Sequence, residues 1–198
     1  MKRTKRTEKA ANVEASVQDD KASGKRGVKV KGEPTKQPAV KPKKPKQIRV
    51  LFVCTGNTCR SPMAEQLFKK FLRKKKELSH FDVTSAGLFV DEGVKINANA
   101  EKALAALGVK PKPHLSRQLT ESTAADVIIC MTAGHKAAIE THPCVLTVGE
   151  LTGGGDVPDP YGCDMDAYMA VAQYLEYACV DIYAAVSGRF PVTSGSRI

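Results

Sequence analysis

The stretch IRVLFVCTGNTCRSPMAEQLFKKFLRK, Ile48 to Lys74, changes its period part-way along, and the fold can be read from that change. IRVLFVC, Ile48 to Cys54, is a continuous apolar run of the length expected for a strand buried on both faces. From Met63 to about Lys76 the apolar residues Met63, Leu67, Phe71 and Leu72 fall at helical spacing. Lysines gather towards the end of that helix, where its dipole favours cations. Between the two lies CTGNTCRSP, Cys54 to Pro62, in which Ser61 suits an N-cap and Pro62 the first helical position.

The same alternation continues downstream. HFDVTSAG, His80 to Gly87, reads as a second strand, and NANAEKALAALG, Asn97 to Gly108, as a helix closed by Gly108. ADVIICMT, Ala125 to Thr132, reads as a third strand, and AGHKAAIETH as a short helix stopped by Pro143. CVLTV, Cys144 to Val148, gives a fourth strand, LTGGGDVPDPYG a loop, and Asp164 to about Ser187 a long final helix. Strands alternating with helices predict an α/β chain: a single doubly wound domain with a four-stranded parallel sheet flanked by helices. Sites in such sheets collect at the carboxyl ends of the strands.

Composition divides the 198 residues sharply. Residues 1–47 hold 15 Lys or Arg against 5 Asp or Glu, whereas the remainder holds 16 of each, so the whole net charge of +10 lies in the first quarter. That quarter, ending in KPKKPKQ, has too few apolar groups to offset the entropy of ordering. It reads as a disordered basic tail over 1–46, ahead of a domain over 47–190 and a short tail over 191–198. A basic tail contacts nucleic acid, acidic proteins or anionic surfaces, or serves as a solvated linker. No apolar run approaches the ~20 residues of a membrane span. No apolar segment follows the basic start, which excludes a secretory signal, and Glu8, Glu14, Asp19 and Asp20 argue against a transit peptide. A cytoplasmic protein is the expectation, with its six cysteines as free thiols.

CTGNTCRSP places a loop over a helix N-terminus, where backbone N–H groups of residues 55–60 can converge on an anion. Gly56 supplies backbone freedom there, and Asn57 is placed to pin the loop by side-chain bonds. A cysteine and an arginine at C-x5-R spacing, Cys54 and Arg60, suit phosphoryl transfer. Cys54 would attack, and Arg60 would grip two phosphate oxygens. Ser61 could donate its hydroxyl to the sulfur. A zinc site on Cys54 and Cys59 would need two further ligands at metal-like spacing, and a nucleotide-binding G-x4-G-K-[ST] loop is absent. The general acid and base such chemistry needs is sought in DVPDPYG. Asp159 stands there between Pro158 and Pro160, with Asp156 as the second candidate.

Together, CTGNTCRSP and DPYG resemble the low-molecular-weight protein phosphatases. The resemblance runs from about Val50 to Ile182 and includes TSAG, Thr84 to Gly87, and the Met131 to Lys136 segment. It implies nucleophile, phosphate-clamp and acid/base roles for Cys54, Arg60 and Asp159. It further implies a loop of Thr55, Gly56, Asn57, Thr58, Cys59 and Ser61 around the phosphate, no metal and no organic cofactor. It also implies a reversible disulfide between Cys54 and Cys59, against which Cys59 reads equally well as a small buried filler.

Thr58 stands where tyrosine phosphatases of this family carry a branched apolar residue, and the loop looks like that of the branch acting on phosphoarginine in proteins. A hydroxyl there serves a polar guanidinium better than a phenyl ring. Phe89 and Tyr161 would wall the slot. A phosphorylated protein is thus the expected substrate, phosphotyrosine the alternative, and the enzyme a monomer. Thioredoxin-linked arsenate reductases share the fold, but they need a closely spaced resolving cysteine pair after the third strand. Here Cys130 falls inside that strand and Cys144 lies 14 residues on.

Overall fold

The first strand, β1 (Ile48–Cys54), forms over the predicted residues and lies centrally in a parallel sheet. The computed structural model describes residues 46–110, 112–139 and 141–191; the two expected tails lie outside them apart from Lys46 and Pro191. Helix α1 (Arg60–Lys74) follows, then a 3-10 turn over Leu78–His80 and β2 (Phe81–Gly87). After α2 (Ala98–Ala106) come β3 (Val127–Cys130), α3 (Ala133–Ala137), β4 (Val145–Thr147), α4 (Val148–Thr152) and α5 (Met165–Arg189). The sheet order is β2-β1-β3-β4 with all pairs parallel.

Alternation along β1 sorts the core into two halves. Val50, Phe52 and Cys54 join the larger cluster with residues of α1, α2 and α5, while Leu51 and Val53 join a smaller one with Ala86, Ile128 and Cys130. Phe68 of α1 packs edge-on against Phe52 and Phe81, with ring centroids 5.8 and 6.1 Å away. Cover on the second face is thinner, coming from Ile139 beyond α3 and from Leu88 and Leu119, which lie outside the helices and strands.

Two local readings need correction. Helix α1 begins at Arg60 with Cys59 as N-cap, so Ser61 and Pro62 lie inside its first turn and Ser61 is not the cap. Its hydroxyl is taken up by Cys54 and Asn57 instead. The segment after β4 is not all loop. Thr147 and Glu150 exchange backbone and side-chain bonds in a capping box that starts α4. At the end of α2 the expectation holds: Gly108 takes φ +72°, its N–H reaches Ala105 O, and Val109 N–H reaches Leu104 O, a Schellman closure. No described helix is long and apolar enough to cross a membrane.

Candidate active site

In a β2-β1-β3-β4 sheet the chain leaves β1 for one edge and β3 for the other, so a crevice opens between the loops that follow them. The 54–60 loop occupies one side of it, and the start of α3 the other. A cavity of about 500 Å³ opens on the 54–60 loop, lined by Cys54, Thr55, Gly56, Thr58, Cys59 and Arg60 from the loop. Asp159 and Tyr161 line it from the segment before α5, and Phe89, Asp91, Val94, Lys95 and Asn97 from the segment after β2.

The loop is held by Asn57 rather than by its glycine. Asn57 has φ +55°, in the left-handed region that asparagine tolerates better than most side chains, whereas Gly56 has no positive φ. Asn57 is fully buried. Its Nδ2 donates to Ser61 Oγ (2.9 Å), its Oδ1 accepts from Arg117 N–H (3.1 Å), and its carbonyl accepts from His114 Nε2 (2.8 Å). Gly87, paired with Cys54 across β1 and β2, lets this loop approach. A Cβ at Gly87 would stand 2.5 Å from Thr55 O and 2.9 Å from Asn57 N.

Around the sulfur, Cys54 Sγ lies 3.0 Å from Ser61 Oγ, which also donates to Ala86 O at 3.2 Å. A thiolate at Cys54 would draw that hydroxyl hydrogen away from Ala86. Arg60, buried, directs Nη1 to Val157 O (3.4 Å) and Nη2 to Thr55 Oγ1 (3.4 Å), and its Nη2 pairs with Asp159 Oδ2 at 2.5 Å. Asp159 keeps half its side-chain surface exposed and accepts Tyr161 N–H through Oδ1. The Cys54 thiol, the Arg60 guanidinium and the Asp159 carboxyl therefore meet at one mouth. Asp156 is excluded from it, because its Oδ1 accepts Ala133 N–H at 2.8 Å and it does not line the cavity.

Cys59 also lines the cavity, 3.4 Å from Tyr168 OH, and burial pushes its thiol above the ordinary range. All six cysteines are free thiols. Cys130 and Cys144 belong to the core clusters on opposite faces of the sheet, and burial pushes the Cys130 thiol up to about 12, so they form no resolving pair. Among the described residues no three His, Cys, Asp or Glu side chains gather as a metal-ligating cluster.

Phe89 and Tyr161 line the cavity at its rim, 76% and 72% exposed. The sequence reading missed Asp91, Val94, Lys95 and Asn97, whose only sequence signal was Asn97 as a helix start. It also missed His135, buried at 8% exposure, whose Nε2 is 2.9 Å from Thr55 Oγ1.

A family model described as "Low molecular weight phosphotyrosine protein phosphatase" matches residues 49–189. A protein-arginine-phosphatase of Bacillus subtilis is 39% identical over 136 residues, covering 64% of this chain and 89% of that protein. The low molecular weight protein-tyrosine-phosphatase PtpB of Staphylococcus haemolyticus is 32% identical over 136 residues, covering 66% and 94%. Among solved structures, a YwlE arginine phosphatase mutant with a phosphorylated active-site serine superposes with TM-score 0.66 at 35% identity, covering 71% of this chain and 96% of that one. The match takes in every element from β1 to the end of α5: the chain belongs to the low molecular weight phosphotyrosine protein phosphatase family and is a protein phosphatase.

Proposed function

We propose that the protein hydrolyses phosphorylated side chains through a phosphocysteine on Cys54, with phosphoarginine as its preferred substrate. The observation that carries this reading is the convergence of Cys54, Arg60 and Asp159 on one cavity with a hydroxyl, Thr58, in its wall. The thiolate, the reactive form of cysteine, attacks phosphorus, and the bond from phosphorus to the leaving nitrogen or oxygen breaks. Asp159 gives its proton to the leaving atom, while Arg60 and the backbone N–H groups of residues 55–60 hold the equatorial oxygens. In the second step the Asp159 carboxylate takes a proton from water, whose oxygen attacks phosphorus. Orthophosphate is released and the sulfur leaves as thiolate, facing Ser61. The phosphorylated serine in the YwlE mutant supports a phosphoryl group carried at this position.

In this reading the ion pair of Arg60 with Asp159 is a resting arrangement. A phosphate entering between them takes over the guanidinium and frees the carboxyl group for the leaving atom. For phosphoarginine, Asp159 and Thr58 supply acceptors to guanidinium N–H groups, and the arginine phosphatase relative supports the choice. Phosphotyrosine is the second reading, favoured by the exposed rings of Phe89 and Tyr161, which would flank a phenyl group. Thr58→Ile decides between them. It should cut kcat/KM on phosphoarginine peptides at least about tenfold and spare p-nitrophenyl phosphate, the scale set by one polar contact in a specificity pocket. An unchanged ratio of the two rates would remove the ground for preferring phosphoarginine.

The catalytic unit is residues 47–190, acting as a monomer in the cytoplasm, and the basic tail is a solvated linker or an appendage for nucleic acid or acidic surfaces. Gln47, at the amino end of β1, donates through Nε2 to the carbonyls of Ser79 and Phe81, whereas the cavity lies at the strands' carboxyl ends. Deleting residues 1–46 should therefore leave kcat on p-nitrophenyl phosphate within about twofold, the span of a change of under ~0.5 kcal/mol. A large loss in steady-state assays would show that the tail takes part in the site.

A further inference from the structure

His135 sits in α3, outside the catalytic set, with one ring nitrogen on each of two threonines. Its Nδ1 is 2.9 Å from Thr132 Oγ1, and its Nε2 is 2.9 Å from Thr55 Oγ1. Thr132 is the N-cap of α3, and its Oγ1 also accepts His135 N–H at 3.1 Å. Thr55 directly follows Cys54, lines the cavity, and accepts from Arg60 Nη2 at 3.4 Å. One imidazole thus ties the loop after β3 to the loop after β1.

We propose that His135 is a positioning residue for phosphate binding: it holds Thr55 Oγ1 as an acceptor and so leaves the Thr55 hydroxyl hydrogen free to be donated to a phosphate oxygen. The proposal rests on the reading of residues 54–61 as a phosphate cradle. A neutral imidazole carries one ring hydrogen, so only two arrangements exist. In the first, Thr132 O–H donates to Nδ1 and Nε2–H donates to Thr55. Thr55 Oγ1 then receives both His135 and Arg60, and only its own hydrogen is unspent. Among the described residues no carbonyl or carboxylate accepts it, and it lies on the cavity wall. In the second, Thr55 donates to His135 and offers phosphate no hydrogen, while Thr132's hydrogen is left over beneath the loop. An anion in the cavity selects the first, because it alone supplies a donor to the anion.

The neutral state of the ring has a structural cause. Burial, and then the charge of Arg60, hold His135 below the ordinary histidine range, while Asp159 and Asp156 oppose this more weakly. An imidazolium would have no lone pair for Thr132 and would place a second cation behind Arg60.

The test uses the full chain and inorganic phosphate as competitive inhibitor of p-nitrophenyl phosphate hydrolysis. Thr55→Val should weaken phosphate binding about tenfold, the scale of a hydrogen bond to a charged group, and Thr55→Ser should restore it. His135→Gln should weaken binding to a similar extent in the wild-type background but hardly further on top of Thr55→Val. Equal losses from His135→Gln with and without the Thr55 hydroxyl would overturn the proposal, since they would mark a purely structural role. Unchanged phosphate inhibition in Thr55→Val would overturn it irrespective of how well the histidine variants fold. Failure of the wild type itself to bind phosphate would instead overturn the reading of the cradle.

Discussion

Cys54→Ser is expected to abolish turnover on phosphoarginine peptides and on p-nitrophenyl phosphate alike, by on the order of 10⁴-fold or more, the scale seen when a covalent nucleophile is removed. A serine that took up the phosphoryl group would have to release it as an alkoxide, a far poorer leaving group than a thiolate, so the second step would stall. The side-chain partner of Cys54 Sγ is Ser61 Oγ at 3.0 Å, itself an alcohol, and the Asp159 carboxylate is turned towards Arg60. Phosphate should still bind, because Arg60 and the loop backbone are untouched. Loss of kcat with phosphate binding retained in a direct binding measurement is therefore the specific signature. Wild-type rates on both substrates would show that the sulfur is not the attacking atom.

Gly87→Ala should also be strongly damaging, although it changes no group that lines the cavity. The added methyl would need the space now filled by Thr55 O at 2.5 Å and Asn57 N at 2.9 Å, backbone atoms with no rotamer to yield. Asn57 cannot move alone, since Ser61, Arg117 and His114 hold it from three directions. The loop must shift as a body, carrying the N–H groups around the phosphate with it. A displacement near 1 Å costs about 100-fold in rate, and overpacking a closed core about 1–3 kcal/mol in stability. Steady-state kinetics and a thermal melt on the same variant measure both; full activity with an unchanged melting temperature would show that the loop is softer than its hydrogen bonds imply.

What the sequence made legible follows from how local each signal is. IRVLFVC becomes β1 residue for residue, because a fully buried strand is written as an unbroken apolar run. Cys54, Arg60 and Thr58 were legible because they fall within one loop, and Asp159 because two prolines bracket it. The start of α1 was misjudged because the Ser61 hydroxyl has a use that competes with capping, on the sulfur and on Asn57. Gly56 drew the reading that belonged to Asn57, because composition shows which residue tolerates a left-handed backbone, not which one adopts it. Helix α4 hid behind three glycines, and its capping box, Thr147 to Glu150, was the overlooked signal. Asp91, Val94 and Lys95 carry no periodic pattern and reach the cavity only through the path of the chain after β2. His135 needed the strand order, since 80 residues separate it from the threonine it touches.

The pairing of Cys54 with Gly87 has one further consequence, for how the chain reaches its native state. A slip of one residue between β1 and β2 would put a side chain, Ala86 or Leu88, under the loop where only a hydrogen fits. Catalysis is thus a gauge of strand alignment. During refolding, the return of activity should mark the moment the two strands lock in step, and any population that has collapsed with the strands misaligned should be present by mass but silent in the assay.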